Sequence, residues 1–183
     1  MTGVQTCALP ISALGTDPAA IAVGLAGFGG VGRRLEVKGV AGDVVVIDDY
    51  AHHPTAIAAT LATVRGRWPC RRLWAVYEPL TYHRTAAMLD AFADVLATAD
   101  RAVIAAIWAG RDPDTTITSA ERLAEATSRS APAPAVAPGG VEATADWLTH
   151  EVRPGDVVVV MGGGRSYVIA ERLAAALAAD AGG

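Results

Sequence analysis

Short β-branched runs that give way, again and again, to stretches of helical period are what most narrow the folds open to this chain. Val44-Val45-Val46-Ile47 stops at a cluster of turn residues, and Ile57, Leu61 and Val64 then recur at the spacing of one helix face. The same order predicts strands over 34–38, 44–48, 73–77, 102–107, 133–137 and 157–161. It predicts helices over 55–68, 85–99, 119–127, 141–149 and 166–178. Met88, Phe92 and Val95 mark the buried side of the second, and Val168, Leu173 and Leu177 that of the last. Helices placed between strands demand right-handed crossovers and a sheet covered on both faces. The expected class is therefore α/β: a Rossmann-like three-layer domain with a mostly parallel sheet of about six strands.

The 183 residues are enough for one good core, and 52% apolar against 19% charged residues marks a globular chain. A net charge of −4 gives no attraction to nucleic acid or to an anionic membrane surface. Two cysteines, Cys7 and Cys70, make no disulfide framework. No run approaches the about 20 apolar residues of a membrane span, so the expectation is a cytoplasmic protein. Residues 1–12 continue no later pattern and resemble translated adaptor sequence; they are set aside, Cys7 with them. Ala13 to Ala26 reads as one helix, with Asp17 and Pro18 as a cap and first-turn pair. Gly27 to Gly32 has the spacing Gly-x-Gly-x-x-Gly, but a dinucleotide site needs a strand before and a helix after. Here a helix precedes and Arg34-Leu35-Glu36-Val37 follows, so the segment reads as a hinge. The Pro-, Ala- and Ser-rich stretch 128–140 reads as a flexible surface loop.

Chemistry concentrates in Asp48-Asp49-Tyr50-Ala51-His52-His53-Pro54-Thr55, where a strand ends and a helix begins. In open α/β sheets the crevice beyond the carboxyl ends of the strands is where ligands bind. Two carboxylates, a phenol and two imidazoles, the side chains that exchange protons near neutrality, meet there. A second group, Glu78-Pro79-Leu80-Thr81-Tyr82-His83-Arg84-Thr85, follows the next strand at the same sheet edge. Arg84 there can clamp a carboxylate with two parallel bonds. A third, Gly162-Gly163-Gly164-Arg165-Ser166, offers backbone amides to an anion, but a tight turn needing glycine dihedrals explains it more simply. Trp108 to Pro113, with Arg111, follows another strand at this edge. Gly-x-x-x-x-Gly-Lys-Ser/Thr occurs nowhere in the chain.

The octet, with Gly30 to Gly39 ahead of it, resembles the C-terminal domain of the Mur ligases, and so do Glu78-Pro79 to Arg84-Thr85, Ile107 to Pro113 and Gly155-Asp156 to Gly164. The nearest branch is the one that adds L-alanine to UDP-N-acetylmuramate in peptidoglycan biosynthesis; the branch that recycles murein peptides is the alternative. The resemblance implies ATP-dependent formation of an amide through an acyl phosphate, with ATP and magnesium held mostly by domains outside this chain. It divides the chain into the last helix of a central ATP-binding domain and a hinge over 13–30, and the C-terminal domain over 31–183. It implies that Arg34 and Asp49 touch the nucleotide, that Tyr50, His52, His53, Tyr82 and Arg84 hold the amino acid, and that His52 takes a proton from the incoming ammonium. In the alanine-adding branch the second group usually reads Gln-Pro-His-x-Tyr-x-Arg-Thr; here Leu80 stands where that histidine would be, and Thr81 where many members carry an arginine, while Tyr82 and Arg84 persist. Two other classes compete. Asp48, Asp49, His52 and His53 are metal-ligand types, as a hydrolase would use, although neighbours in one loop do not all converge. A non-catalytic nucleotide- or peptide-binding module is the other, and metal titration and ATP titration discriminate them.

Overall fold

The computed structural model describes residues 11–27, 30–110 and 112–180. It divides into two units, 1–32 and 33–183. In the first, helix α1 spans Pro18–Ala26, and Asp17 caps it by accepting from the amide of Ala19 at 3.1 Å. A turn at 14–15 separates a short helical stretch at 11–13 from α1, so the single helix expected over 13–26 is interrupted. The proline explains the break, because the residue before a proline is driven out of helical geometry.

In the second unit the elements are β1 (Glu36–Ala41), β2 (Val44–Asp49), α2 (Pro54–Arg67), β3 (Arg72–Glu78), α3 (Tyr82–Ala87), α4 (Leu89–Leu96), β4 (Arg101–Ala105), α5 (Ala120–Ser128), β5 (Val136–Gly139), α6 (Val141–Glu151), β6 (Asp156–Gly162) and α7 (Ser166–Asp180). Among the described residues the strands form one sheet in the order β1-β2-β6-β3-β4-β5. Only β1 runs against its neighbour; the other pairs are parallel. The β1–β2 hairpin closes through Gly42 and Asp43, both with positive φ, the mirror-image turn whose twist matches that of the strands.

Strand alternation explains the three layers. Val45, Ile47, Leu73, Ala75, Tyr77, Val157, Val159 and Met161 face α2, α4 and α5, in a core with Ile57, Leu61, Phe92 and Leu123. Val44, Val46, Trp74, Val76, Val158 and Val160 face α6 and α7, packing on Leu148, Ile169 and Leu173. Strands buried on both faces read as continuous apolar runs, which is why β2 and β6 were plain in the sequence. At the amino-terminal end of the sheet Asp156 ties β6 to β3 and to the turn that precedes it. It accepts from Arg72 through both carboxylate oxygens at 2.8 and 2.7 Å, from the Trp74 indole at 2.9 Å and from the amide of Arg153 at 2.8 Å.

Several expected boundaries are corrected. The helix expected over 85–99 is two helices: α3 starts earlier, at Tyr82, and Met88 (φ −122°, ψ 24°) ends it. The apolar period continues through Met88, so periodicity alone could not reveal the kink. Within 128–140, α5 runs to Ser128, whose hydroxyl accepts from the amide of Ala135 at 2.9 Å, and β5 takes Val136–Gly139, so the loop is confined to 129–135. The first strand begins at Glu36, because Arg33 and Leu35 both have positive φ and cannot join a ladder. No helix among the described residues is long and apolar enough to cross a membrane.

Candidate functional site

β6, the last strand in sequence, lies between β2 and β3, and this insertion creates the crevice. The chain leaving β2 turns to α2 on one face, while the chain leaving the adjacent β6 turns to α7 on the other. Divergence of neighbouring loops at a topological switch point opens the cleft in such sheets. The octet and the glycine triplet sit on its two sides. His52 is close to the triplet: a Cβ placed on Gly163 would lie 3.5 Å from His52 Cγ and 2.6 Å from Leu80 Cδ1.

Parity on β2 sends Asp48 and Asp49 to opposite faces, and both are buried. Asp48 turns to the α7 side and meets Arg33, whose Nε lies 3.3 Å from Oδ2. Its Oδ1 has no partner, and burial raises its pKa despite the opposing pull of Arg33. Asp49, 5% exposed, turns to the α2 side. It accepts from the amides of Leu35 and Ala51, both at 2.8 Å, and from the Thr60 hydroxyl at 3.3 Å. Asp49 thus shapes the loop, its Oδ2 accepting one of these bonds and its Oδ1 two. His53 likewise has a local task, since its Nδ1 caps α2 by accepting from the amide of Thr55 at 3.4 Å.

Tyr50, 36% exposed, presents its ring to the crevice and stands edge-on to His52 with ring centroids 5.1 Å apart. His52 Nδ1 is 2.9 Å from the Tyr50 carbonyl oxygen. A carbonyl only accepts, so in that contact Nδ1 carries the proton. The Tyr50 amide in turn donates to the Arg33 carbonyl at 2.8 Å.

Arg33 is the residue that sequence reading missed. Between two positive-φ residues the chain zigzags, so Arg33 turns inward and Arg34 outward. Arg33 donates to the Gly162 carbonyl at 2.7 Å and to the Ser166 hydroxyl at 2.9 Å, besides pairing with Asp48. Its guanidinium also lies 5.0 Å from the Tyr50 ring centroid and 5.2 Å from that of Tyr167. The exposed Arg34 sits 5.7 Å from the Tyr50 centroid, on the octet side of the crevice.

The glycine triplet roofs a buried acid. Glu78, at the end of β3, is 2% exposed and its Oε2 has no partner. Burial raises its pKa, against the amides of Ser166 and Arg165 and the charge of Arg33. The acid of Glu78 faces the start of α7. Gly162 has φ +151°, and a Cβ on it would meet the Glu78 carbonyl oxygen at 2.9 Å; one on Gly164 would meet Glu78 Oε2 at 2.8 Å and Trp108 Cγ at 3.1 Å. Close approach explains Gly163 and Gly164, while a dihedral requirement applies to Gly162.

Tyr82 and Arg84 stand on the first turn of α3, in the loop after β3. The same loop pairs with the chain after β4: Trp108 donates to the Pro79 carbonyl and accepts from the amide of Thr81, both at 2.9 Å. Arg111 lies outside the described residues. Among these residues no three His, Cys, Asp or Glu side chains converge as metal ligands.

Comparison with known proteins shows the family of this chain. The model of the Mur ligase family described as the glutamate ligase domain matches residues 33–164. The UDP-N-acetylmuramate--L-alanine ligase of Alkaliphilus metalliredigens is 38% identical over 162 residues, which cover 88% of this chain and 35% of that protein. Among solved structures, the UDP-N-acetylmuramate-alanine ligase of Thermotoga maritima superposes with a TM-score of 0.71 at 22% identity, over 90% of this chain and 34% of that one. A murein peptide ligase of Psychrobacter arcticus superposes with a TM-score of 0.63 at 27% identity, over 86% of this chain and 32% of that one. The chain thus spans about a third of the length of the relatives it matches.

Proposed function

Since the chain belongs to the Mur ligase family through its glutamate ligase domain, we propose that it supplies the amino-acid side of the cleft in an ATP-dependent ligase joining L-alanine to UDP-N-acetylmuramate. In that reaction ATP converts the substrate carboxylate to an acyl phosphate, and the amine of the amino acid attacks it to form the amide. The observation that carries the reading is the seating of His52. Its Nδ1 is held by the Tyr50 carbonyl, so Nε2 stays open as an acceptor beside the glycine triplet, where an ammonium group must lose a proton before it can attack. Tyr50 and His52 line one side of the amino-acid end; Tyr82 and Arg84 approach from α3, with Arg84 on the carboxylate. Arg34, stacked outward beside Tyr50, is the nucleotide contact of this unit. Asp49 acts there only through the loop it shapes. Magnesium enters through groups outside this unit.

A second reading, ligation of a murein peptide, is favoured by Glu78 and Leu80, which depart from the alanine-adding pattern, and by the likeness to the Psychrobacter arcticus enzyme. Substitution of Arg84 tests the amino-acid assignment in the ligase encoded by the complete gene. Arg84→Ala is expected to cost roughly 2–5 kcal/mol in amino-acid recognition, read as a raised KM for L-alanine with KM for ATP nearly unchanged. Unaltered constants for L-alanine remove Arg84 from the site. A preference for tripeptide over L-alanine in the unsubstituted enzyme selects the second reading.

A further inference from the structure

Thr81 has φ 58° and ψ 140°, a conformation that costs a β-branched side chain dearly. Positive φ also occurs at Arg33, Leu35 and Asp43, but of these four Thr81 alone is β-branched. Every polar group of Thr81 is engaged in holding it there. Its amide donates to the Trp108 carbonyl at 2.9 Å. Its carbonyl accepts from the amide of Thr85 at 3.1 Å and from the Thr85 hydroxyl at 2.8 Å. Its own hydroxyl caps α3, accepting from the amide of Arg84 at 3.4 Å. Trp108, the external anchor, is 44% exposed and passes close to two glycines: a Cβ on Gly110 would lie 2.8 Å from its Cζ3, and one on Gly164 3.1 Å from its Cγ. A second tie fixes the same turn from the same loop, since Asp112 accepts from the amide of His83 at 3.0 Å and pairs with its Nδ1 at 3.2 Å.

A short helix of six residues has little stability of its own. Its direction is therefore set by the joint at its start. We propose that Thr81 is a positioning residue whose strained backbone, clamped by Trp108, aims the first turn of α3, and with it Tyr82 and Arg84, into the crevice. This rests on the reading of that turn as the amino-acid contact. The cost is borne at the site because the alternative, a relaxed joint, leaves the turn free to swing.

The test compares Thr81→Gly with Thr81→Ala, which both lose the hydroxyl but differ in backbone freedom. At an ordinary position alanine is the more stable of the two; at a strained one glycine is. In the 183-residue chain Thr81→Gly should melt about 2–4 °C above Thr81→Ala, while nitrogen-15 relaxation reports faster motion for the amides of residues 82–85 in the glycine variant alone. In the ligase from the complete gene Thr81→Gly should raise KM for the amino acid on the order of tenfold or more, and Thr81→Ala, which loses only the cap, should raise it severalfold less. Equal or reversed melting temperatures overturn the strain, and so the proposal. A glycine variant that melts higher but keeps residues 82–85 ordered overturns the positioning. Should both measurements on the chain hold while neither Thr81→Gly nor Arg84→Ala moves KM, the amino-acid reading of the turn fails, and the proposal as stated fails with it. A KM moved by Arg84→Ala and not by Thr81→Gly overturns the proposal alone.

Discussion

Adjacent residues of like type can have opposite fates, and the crevice is built from two such pairs. Arg33 and Arg34 read alike in sequence, but the positive φ at Arg33 turns it inward to Asp48, Gly162 and Ser166. Backbone handedness at a non-glycine residue leaves no mark in composition or spacing, so Arg33 was invisible beforehand. Asp48 and Asp49 were separable, because strand parity fixes their faces; the inward engagement of Asp49 was not, since it depends on where the amide of Leu35 returns. Glu78 carries the clearest pH consequence. Its pKa is raised by burial, so its proton stabilises the fold. That contribution is complete below the ordinary carboxyl range and is lost as pH rises through the raised value. Glu78→Gln keeps an acceptor for the amides of Arg165 and Ser166 without a buried charge. Its melting temperature should therefore match the parent near pH 4 and exceed it progressively toward pH 8. A difference that is constant with pH defeats this account.

Among the elements, the alternation of strands and helices was legible because the central strands β2, β3, β4 and β6 are buried on both faces and the helices packed on them on one. The kink at Met88 and the narrow bounds of the loop at 129–135 were not, because both are settled by hydrogen bonds to distant or non-periodic groups. The glycine triplet was legible as a turn, but its packing was not. The three glycines differ in what a methyl group would meet, so their alanine variants should rank. Gly162→Ala strikes the Glu78 carbonyl and is strained at φ +151°, which predicts a loss of about 2–3 kcal/mol. Gly163→Ala meets mainly the end of the Leu80 side chain, which can swing aside, for a loss below about 1 kcal/mol. Denaturant unfolding of both measures the order, and a larger loss for Gly163→Ala would show that Leu80 is pinned.

For the molecule as a whole, the α/β class followed from local pattern, whereas the strand order did not. β6 pairs with β2 and β3 across more than seventy residues of sequence in each case, and no local signal encodes that insertion. The crevice exists only because of it. The family's phosphate-gripping loop has no counterpart in the sequence, so the 183-residue chain alone should form no amide bond from ATP, UDP-N-acetylmuramate and L-alanine; product detected by mass spectrometry would contradict this. One further consequence is mechanical. The second unit begins at Arg33, and this residue grips β2, the glycine triplet and the start of α7 at once. A pull on the backbone there is delivered to the strand ends around Tyr50 and His52 before it reaches the hydrophobic interior.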